Sequence, residues 1–457
     1  MKRILPLISL VFITACTSNA PPERRAHQLP DLTPLPSMRA FSTAPNLPST
    51  RPNSQIAQDF LDLSFEMESG RQIERFTRFE GPITLHTVGR VSGVFQNDLR
   101  ALLSRLQNEA GITITQVSAE TDASINIELI PRTQLQSLVP QAACFVVPRV
   151  TSWNQYRRAR NSSTTDWTTL TQRETVAIFI PNDVSPQEMR DCLHEELAQA
   201  LGPLNDLYRL PDSVFNDDNF HTVLTGFDML MLRATYDSEL SNGMTRSEVA
   251  ARISNILARL NPNGVVNTVD TRADTPRAWK TEIEAALSPG TGALRRVNAA
   301  RRAIDIARAQ NWNNTRLAFS LFAYARIIAP TDSNAALAAL IEAREIYNTE
   351  PATDTQSAHV LNHLALYALS AGDDTLAIQL SDAAIPIARR HQQAALLATL
   401  LLIKSEALQQ MGQNASARAI QLDSLAWARY GFGTEAEINA RLGAISSLRL
   451  EPIPAGG

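Results

Sequence analysis

The stretch Cys192-Leu-His-Glu-Glu-Leu-Ala-Gln-Ala-Leu-Gly-Pro-Leu-Asn-Asp206 decides how the fold is interpreted. Just before it, Ser185-Pro-Gln-Glu188 combines a capping hydroxyl, a proline at the first helical position and a glutamate three residues after the cap. Apolar residues then recur every fourth position, at Met189, Leu193, Leu197 and Leu201. Gly202-Pro203 cannot continue a helix. The sequence therefore predicts an amphipathic helix over residues 186–201, followed by an acidic loop.

This predicted helix resembles the active-site helix of metzincin metalloproteases, whose motif is His-Glu-x-x-His-x-x-Gly-x-x-His. The aligned motif keeps the general-base glutamate as Glu196 and the glycine as Gly202. Its three histidine ligands are replaced by Glu195, Gln199 and Asn205. The resemblance implies a zincin-like domain, a pseudo-metalloprotease that has lost its zinc ligands.

The replaced ligands argue against a zinc enzyme. Protein zinc sites use Cys, His and carboxylate ligands, and the amide oxygens of Gln199 and Asn205 are weak ligands for zinc. We therefore expect no bound metal, no cofactor and no catalytic residue. Two alternatives stay open. One is an atypical metal-dependent hydrolase, acting on peptides or cell-wall material, with Glu196 as general base beside Glu195. The other is a hard-cation site formed by Glu195, Glu196 and Asp206.

Other segments of the first half resemble the DUF2927 domain of alphaproteobacterial lipoproteins. They are Glu195-Glu-Leu-Ala-Gln-Ala-Leu-Gly202, Asn205-Asp206, Ser213-Val-Phe-Asn-Asp217 and the run from Asp228 to Asp237. The resemblance covers about residues 56–255 and implies a zincin-like fold in the cell envelope, without implying a reaction. Thr235 departs from the pattern, which has an apolar residue at this position.

Apolar periodicity predicts the order helix, strand, helix, three strands and helix over residues 56–201, with a polar loop over residues 151–172. This order matches the N-terminal half of a zincin, in which the active-site helix packs under a mixed sheet. The predicted fold class is therefore an α+β, zincin-like or metzincin-like domain over residues 56–255. Residues 256–290 are predicted to form a linker that contains one short helix.

The second half of the chain is rich in alanine and leucine and predicts an all-α domain over residues 291–457. Ser370-Ala-Gly372 and Gln410-Met-Gly412 mark equivalent turns 40 residues apart in a pattern that resembles tetratricopeptide (TPR) hairpins. A generic helical bundle is the alternative. His359 and His363 lie one helical turn apart without a third ligand, which favours ordinary packing contacts over a metal pair.

The N-terminus resembles a lipoprotein signal. Residues 1–15 contain a basic start and an apolar stretch, and Ile13-Thr-Ala-Cys16 resembles a lipobox. The resemblance implies lipidation of Cys16, and Thr17 after it favours the outer membrane of a Gram-negative bacterium. A plain secretory signal is the alternative. Residues 16–55 are rich in Pro, Ser and Thr and predict a disordered tether.

The two remaining cysteines, Cys144 and Cys192, predict a disulfide because an exported protein encounters an oxidising compartment. Two separate buried thiols are the alternative.

The function expected from the sequence is binding or scaffolding at the cell envelope. A net charge of −4 argues against a nucleic-acid partner. The helical repeats would offer a groove to a protein partner, since stacked repeats form concave surfaces. The membrane would be contacted through the lipid on Cys16, on the periplasmic side.

Cys16→Ser should abolish lipid attachment, because the thiol is the group that receives the lipid. We expect the native protein to incorporate labelled palmitate and to sediment with membranes, and the variant to do neither. Cys144→Ser, which leaves the lipobox intact, is the control. Membrane association of an unlabelled Cys16→Ser protein would contradict the lipoprotein prediction.

Overall fold

The computed structural model describes residues 35–42, 48–49, 51–118, 123–266, 272, 274–288 and 290–448. The predicted signal peptide and the lipidation site Cys16 lie outside these residues. No helix in the described ranges is both long and apolar enough to span a membrane.

The first half of the described chain is an α/β domain. Its strands are β1 (Ile83–Gly89), β2 (Ile114–Gln116), β3 (Ile125–Ile130), β4 (Phe145–Pro148) and β5 (Val176–Pro181). Its helices are α1 (Asn53–Phe65), α2 (Gly93–Arg105), α3 (Arg132–Gln136), α4 (Trp153–Ala159), α5 (Pro186–Leu201), α6 (Gly226–Thr235) and α7 (Arg246–Leu260).

The strands form one mixed sheet in the order β2-β1-β3-β5-β4. β4 runs antiparallel to β5, and the other pairings are parallel. Every residue of β5 is buried, as expected for a central strand covered on both faces. α5 packs on one face, while Leu135 and Trp153 from α3 and α4 cover Phe179 on the other. The predicted mixed sheet with a packed α5 is confirmed, but the domain is of the α/β class, whereas the sequence predicted α+β.

One predicted loop is partly helical. Residues 151–172 contain α4 and two short 3-10 turns, Ser163–Thr165 and Trp167–Thr169. Aromatic packing against the sheet stabilises α4, since Trp153 and Tyr156 both contact Phe179. The segment is mostly polar, and its few apolar residues were therefore not enough to predict a helix.

Both ends of α5 have hydrogen-bond partners. At the start, the Ser185 hydroxyl accepts the backbone N–H of Glu188 at 3.1 Å, as the sequence predicted. At the end, the guanidinium of Arg173 donates to three carbonyls, those of Gln199 (2.7 Å), Ala200 (2.6 Å) and Gly202 (3.1 Å). The Tyr236 hydroxyl donates to the remaining carbonyl, that of Leu201, at 3.1 Å. A buried cation thus lies at the negative end of the helix.

The close packing of α6 against the end of α5 explains both Gly202 and Thr235. A Cβ atom added to Gly202 would lie 2.8 Å from the Thr235 side chain, so no larger residue fits without movement. The Thr235 hydroxyl donates to the carbonyl of Met231 at 2.9 Å, which satisfies this buried polar group inside its own helix. Threonine can therefore replace the apolar residue of the family pattern.

Cys144 and Cys192 form a disulfide, which confirms the predicted pair. It joins the segment before β4 to the middle of α5, across a sequence separation of 48 residues. Closing a loop of this length restricts the unfolded chain and stabilises the fold by about 4 kcal/mol in the chain-entropy model.

The second half of the described chain is all-helical, as predicted. Its helices are α8 (Arg277–Leu287), α9 (Ala293–Ala309), α10 (Thr315–Ile328), α11 (Ser333–Thr349), α12 (Asp354–Ser370), α13 (Asp374–Arg390), α14 (Ala394–Gln410), α15 (Asn414–Gly431) and α16 (Glu435–Ser446). Gly372 and Gly412 follow α12 and α14 with φ of 79° and 76°, so the two predicted turns share one conformation that favours glycine.

Two segments predicted as connecting chain contribute to the helical core. Trp279 and Ile283 of α8, within the predicted linker, are fully buried among the other helices. Residues 35–42, within the predicted tether, lie against α15, where Phe41 stacks on Trp427 with ring centroids 4.5 Å apart. The backbone N–H of Arg39 also donates to the carbonyl of Ala426.

Arg173→Leu should lower the free energy of unfolding by about 3 kcal/mol or more, because three helix-end carbonyls would lose a buried donor. Arg71→Leu is the matched control: Arg71 also donates to two side chains, Asp166 and Thr168, but is more than half exposed. The control should lose about 1 kcal/mol or less. Urea denaturation measures both, and equal losses would contradict the capping role of Arg173.

Candidate functional site

A cleft of about 550 Å³ opens beside α5. One part of its wall is apolar and comprises Met67, Val139, Phe145, Val146, Trp167 and Leu204. The other part carries oxygen-bearing side chains, namely Glu68, Glu195, Glu196, Gln199, Asp206 and Asp217. This volume lies in the range of small-molecule sites. The cleft is therefore the strongest candidate for a binding site in the described part of the chain.

Two of the acidic residues come from α5 itself. Glu196 is 4% exposed, and burial, followed by the nearby charge of Asp206, raises its pKa to about 8 despite a hydrogen bond from the backbone of Val146. Burial also raises the pKa of Glu195 well above its usual range, with Glu196 and Asp217 adding to the shift. At neutral pH Glu196 therefore retains its proton, and the protonated form of Glu195 is favoured as well.

The loop after α5 contributes two more carboxyl groups. Burial raises the pKa of Asp206 strongly, and Glu195, Asp217 and Glu68 raise it further, against an opposing effect of Lys280. Burial raises the pKa of Asp217 to about 6, although this carboxylate accepts a 2.5 Å hydrogen bond from the Tyr208 hydroxyl. The cleft therefore concentrates acidic groups opposed by little positive charge.

Two carboxyl oxygens in the cleft have no hydrogen-bond partner among the described residues. They are Oε2 of Glu196 and Oδ1 of Asp206, and both side chains are more than nine-tenths buried. Most buried polar groups in proteins are satisfied, so such atoms need an explanation. Protonation of these carboxyl groups avoids part of the free-energy cost of burying them. A bound ligand would supply the missing hydrogen-bond partners.

The structure brings together some of the predicted site residues and separates one. Glu195, Glu196, Gln199 and Asp206 all line the cleft. Asn205 does not: its amide donates to the carbonyl of Asp62 at 3.1 Å and its oxygen accepts the backbone N–H of Asp206. The asparagine therefore shapes the loop and is unavailable as the third ligand of the zincin pattern.

The acidic groups do not converge on one point. Within the described residues, no group of three or more His, Cys, Asp or Glu side chains is arranged to hold a metal ion. The alternative set of Glu195, Glu196 and Asp206 therefore shares a cleft without forming a preformed ion cage.

The predicted histidines have packing roles. His194 is buried, accepts the backbone N–H of Leu224 at 3.1 Å and has its pKa lowered by burial. His359 and His363 contact the rings of Phe220 and Phe322. Burial lowers their pKa values to about 3 and about 4, so both imidazoles are neutral at physiological pH.

The helical domain holds the loop that carries Asp206 and Asp217. Phe220 of this loop is buried against α10 and α12, and its carbonyl accepts a 2.5 Å hydrogen bond from Gln393. Gln356 of α12 donates to the carbonyl of Pro211 at 2.7 Å. The helical domain thus supports one wall of the cleft from behind.

Sequence reasoning assigned no role to Glu68, Asp217 or Lys280. Asp217 lies within the quoted Ser213–Asp217 segment, so the family pattern could have drawn attention to it. Glu68 and Lys280 lie far from α5 in sequence and carry no local pattern. Only the folded chain brings their charges near Asp206.

With this geometry described, the chain can be compared with known proteins. Residues 53–255 match the family model described as "Protein of unknown function (DUF2927)". The match supports the resemblance to this family and spans the α/β domain, including α5 and the acidic cleft. The helical domain lies outside it. The search of curated proteins found no match.

Glu196→Gln should change how stability depends on pH. Because burial raises the pKa of Glu196 from 4.5 to about 8, the folded chain keeps a proton that the unfolded chain loses between these values. The free energy of unfolding should therefore fall as pH rises from about 4.5 to about 8, by up to about 1.4 kcal/mol per pH unit from this group.

The variant should lose this contribution and show a shallower fall, measured by urea denaturation at several pH values in this window. Glu174→Gln, an exposed carboxylate of the same domain, should keep the native profile. Identical profiles for the native protein and Glu196→Gln would contradict the proposed protonation.

Proposed function

We propose that this chain is a lipid-anchored binding protein of the cell envelope, in which a zincin-like cleft holds a ligand without hydrolysing it. The observation that carries the proposal is the pair of unpartnered, buried carboxyl oxygens of Glu196 and Asp206 in an open cleft. Burying such groups unsatisfied is costly. A ligand that brings hydrogen-bond donors would remove this free-energy cost, and its binding would therefore be favoured.

The zincin-like ancestry is supported by the arrangement of α5 under a mixed sheet and by the retained Glu196 and Gly202. Loss of zinc hydrolysis is supported by the identity and use of the residues at the ligand positions. Gln199 offers only an amide, and the side-chain amide of Asn205 is already hydrogen-bonded to the backbone of Asp62 and Asp206. Neither supplies the strong ligand that a catalytic zinc requires.

The envelope location is supported by the lipobox-like sequence at Cys16 and by the disulfide between Cys144 and Cys192. Disulfides persist in oxidising compartments such as the bacterial periplasm. We retain the outer membrane as the proposed location because Thr17 follows the lipidated cysteine.

We further propose that the TPR-like helical domain binds a protein partner. Part of its repeat surface already contacts the α/β domain through Gln356 and Gln393. The partner would then use repeat surface that this contact leaves open. Exposed apolar side chains there include Ile341, Leu376 and Leu422, on α11, α13 and α15.

A second candidate function is a hydrolase of peptides or cell-wall material. One observation favours it: burial and Asp206 raise the pKa of Glu196 to about 8, close to the value suited to proton transfer at neutral pH. Perturbed pKa values cluster at catalytic sites, although buried structural networks produce them as well.

Metal analysis and hydrolysis assays separate the two functions. The native protein and Glu196→Gln are incubated with Zn²⁺, dialysed and analysed for metal, then assayed on casein and peptidoglycan sacculi. We expect no stoichiometric zinc and equal background hydrolysis in both proteins. Stoichiometric zinc with hydrolysis that disappears in Glu196→Gln would overturn the binding-protein proposal in favour of the hydrolase.

A further inference from the structure

Beyond the existence of a binding cleft, its lining defines a class of ligand. The inner end carries Glu196 and Asp206, each with an unpartnered buried oxygen. Toward the outside lie the half-buried Asp217 and the exposed Glu68. Acidic groups thus extend along the cleft instead of surrounding one point.

This spread disfavours a single metal ion as the occupant. A calcium ion gathers six to eight oxygen ligands within about 2.6 Å. In the described residues, no three acidic or other ligating side chains are arranged in this way. A volume of about 550 Å³ is also much larger than one ion requires. The cleft therefore suits a ligand that has some length.

The apolar wall of the cleft indicates the chemistry of the uncharged part of the ligand. Met67, Phe145 and Trp167 line the same cleft as the carboxyl groups. Methylene groups would be buried favourably against these side chains, at about 0.8 kcal/mol for each fully buried CH₂. The ligand should thus combine a positive charge that donates hydrogen bonds with an aliphatic chain.

On this basis, we propose that the cleft binds an alkylammonium ligand, with its ammonium group at Glu196 and Asp206 and its methylene chain along Phe145 and Trp167. This inference rests on the proposed binding function of the cleft. Two sources share the chemistry: a free aliphatic polyamine and a lysine side chain of a peptide. An ammonium group brings three donors, enough to reach both unpartnered oxygens.

Lys280 supplies positive charge near the cleft. Its charge acts on Asp206, Asp217 and Glu68 by lowering their pKa values, although Lys280 is absent from the cleft lining. Glu284 opposes this effect at Glu68 and Asp217. Lys280 therefore competes electrostatically with an incoming ammonium group, and its removal should strengthen binding.

Binding should also release protons. Burial and the charges of neighbouring carboxyl groups raise the pKa values of Glu195 and Asp206 and raise that of Glu196 to about 8, which favours the protonated forms. An ammonium group favours their ionised forms, so protons leave as it binds. Affinity should rise with pH between about 6 and 8 and fall with added salt.

Isothermal titration calorimetry on the full-length chain tests the proposal. The probes are spermidine and acetyl-Ala-Lys-Ala-amide, with acetyl-Ala-Ala-Ala-amide as the uncharged control. Titrations at pH 7 in two buffers of different ionisation enthalpy measure the protons released. We expect at least one charged probe to bind with proton release, and no binding of the uncharged peptide. Which charged probe binds more tightly identifies the source of the alkylammonium group.

Variants locate the binding. Glu196→Gln and Asp206→Asn should each weaken binding at least tenfold, whereas the exposed Glu174→Gln should leave affinity within about twofold. Lys280→Gln should tighten binding. Circular dichroism confirms that each variant is folded, and Glu196→Gln is expected to remain folded because it removes a buried ionisable group.

Three results would overturn the inference: no saturable binding of either charged probe, binding unaffected by both cleft variants, or Ca²⁺ binding that depends on the same residues and excludes the probes. The zinc and hydrolysis assays on the same preparation separate the two proposals. Absent probe binding without zinc-dependent hydrolysis rejects only the alkylammonium class. Zinc binding with hydrolysis lost in Glu196→Gln rejects the binding function as well.

Discussion

The hydrogen bonds at the C-terminal end of α5 are the constraint on which the rest of the structure depends. Arg173 and Tyr236 together satisfy the carbonyls of residues 199–202, which a helix end leaves without partners. Arg173 comes from the segment before β5, and Tyr236 follows α6. The helix end therefore joins the sheet to α6, and its position fixes where Glu195 and Glu196 face the cleft.

The same cap connects to the cleft wall. The guanidinium of Arg173 lies over the ring of Trp167, 4.9 Å from its centroid, and Trp167 lines the cleft. Burial lowers the pKa of Arg173 to about 10, which still leaves it charged at neutral pH. The Arg173 guanidinium thus interacts favourably with the negative end of the α5 dipole, and it also packs on an aromatic side chain of the cleft wall.

The sequence predicted those features that depend on local chemistry. The cap at Ser185 and the stop at Gly202 follow from spacing and backbone preference, and the structure has them. The predicted run of three strands before α5 is wrong, because four strands, β2 to β5, precede it with α3 and α4 among them. The disulfide was predicted because the sequence has two cysteines besides Cys16 and the chain was expected to be exported. The helix α4 was missed because its stability comes from Phe179, which is distant in sequence.

The site was harder to predict, because its residues meet only through the fold. Of the residues at the metzincin motif positions, Glu195, Glu196 and Gln199 line the cleft, whereas Asn205, at the third ligand position, does not. The structure places Asp206 there instead, since the side chain of Asn205 bonds to the carbonyl of Asp62 on α1. A difference of one residue in a loop depends on such tertiary hydrogen bonds, which motif spacing does not encode. No sequence pattern pointed to Glu68 or Lys280.

The acidic side chains of the cleft have a physical consequence for one another. Ionised carboxyl groups that share a cleft repel one another, so they must either hold protons or attract positive charge. Burial increases the free-energy cost of ionising these groups, because Glu196 and Asp206 each have a buried oxygen without a hydrogen-bond partner. The helical domain fixes the loop that presents Asp206 and Asp217, so the groups have little freedom to move apart. The fold therefore keeps several acidic groups together in a partly buried cleft, which is the arrangement on which the proposed alkylammonium binding depends.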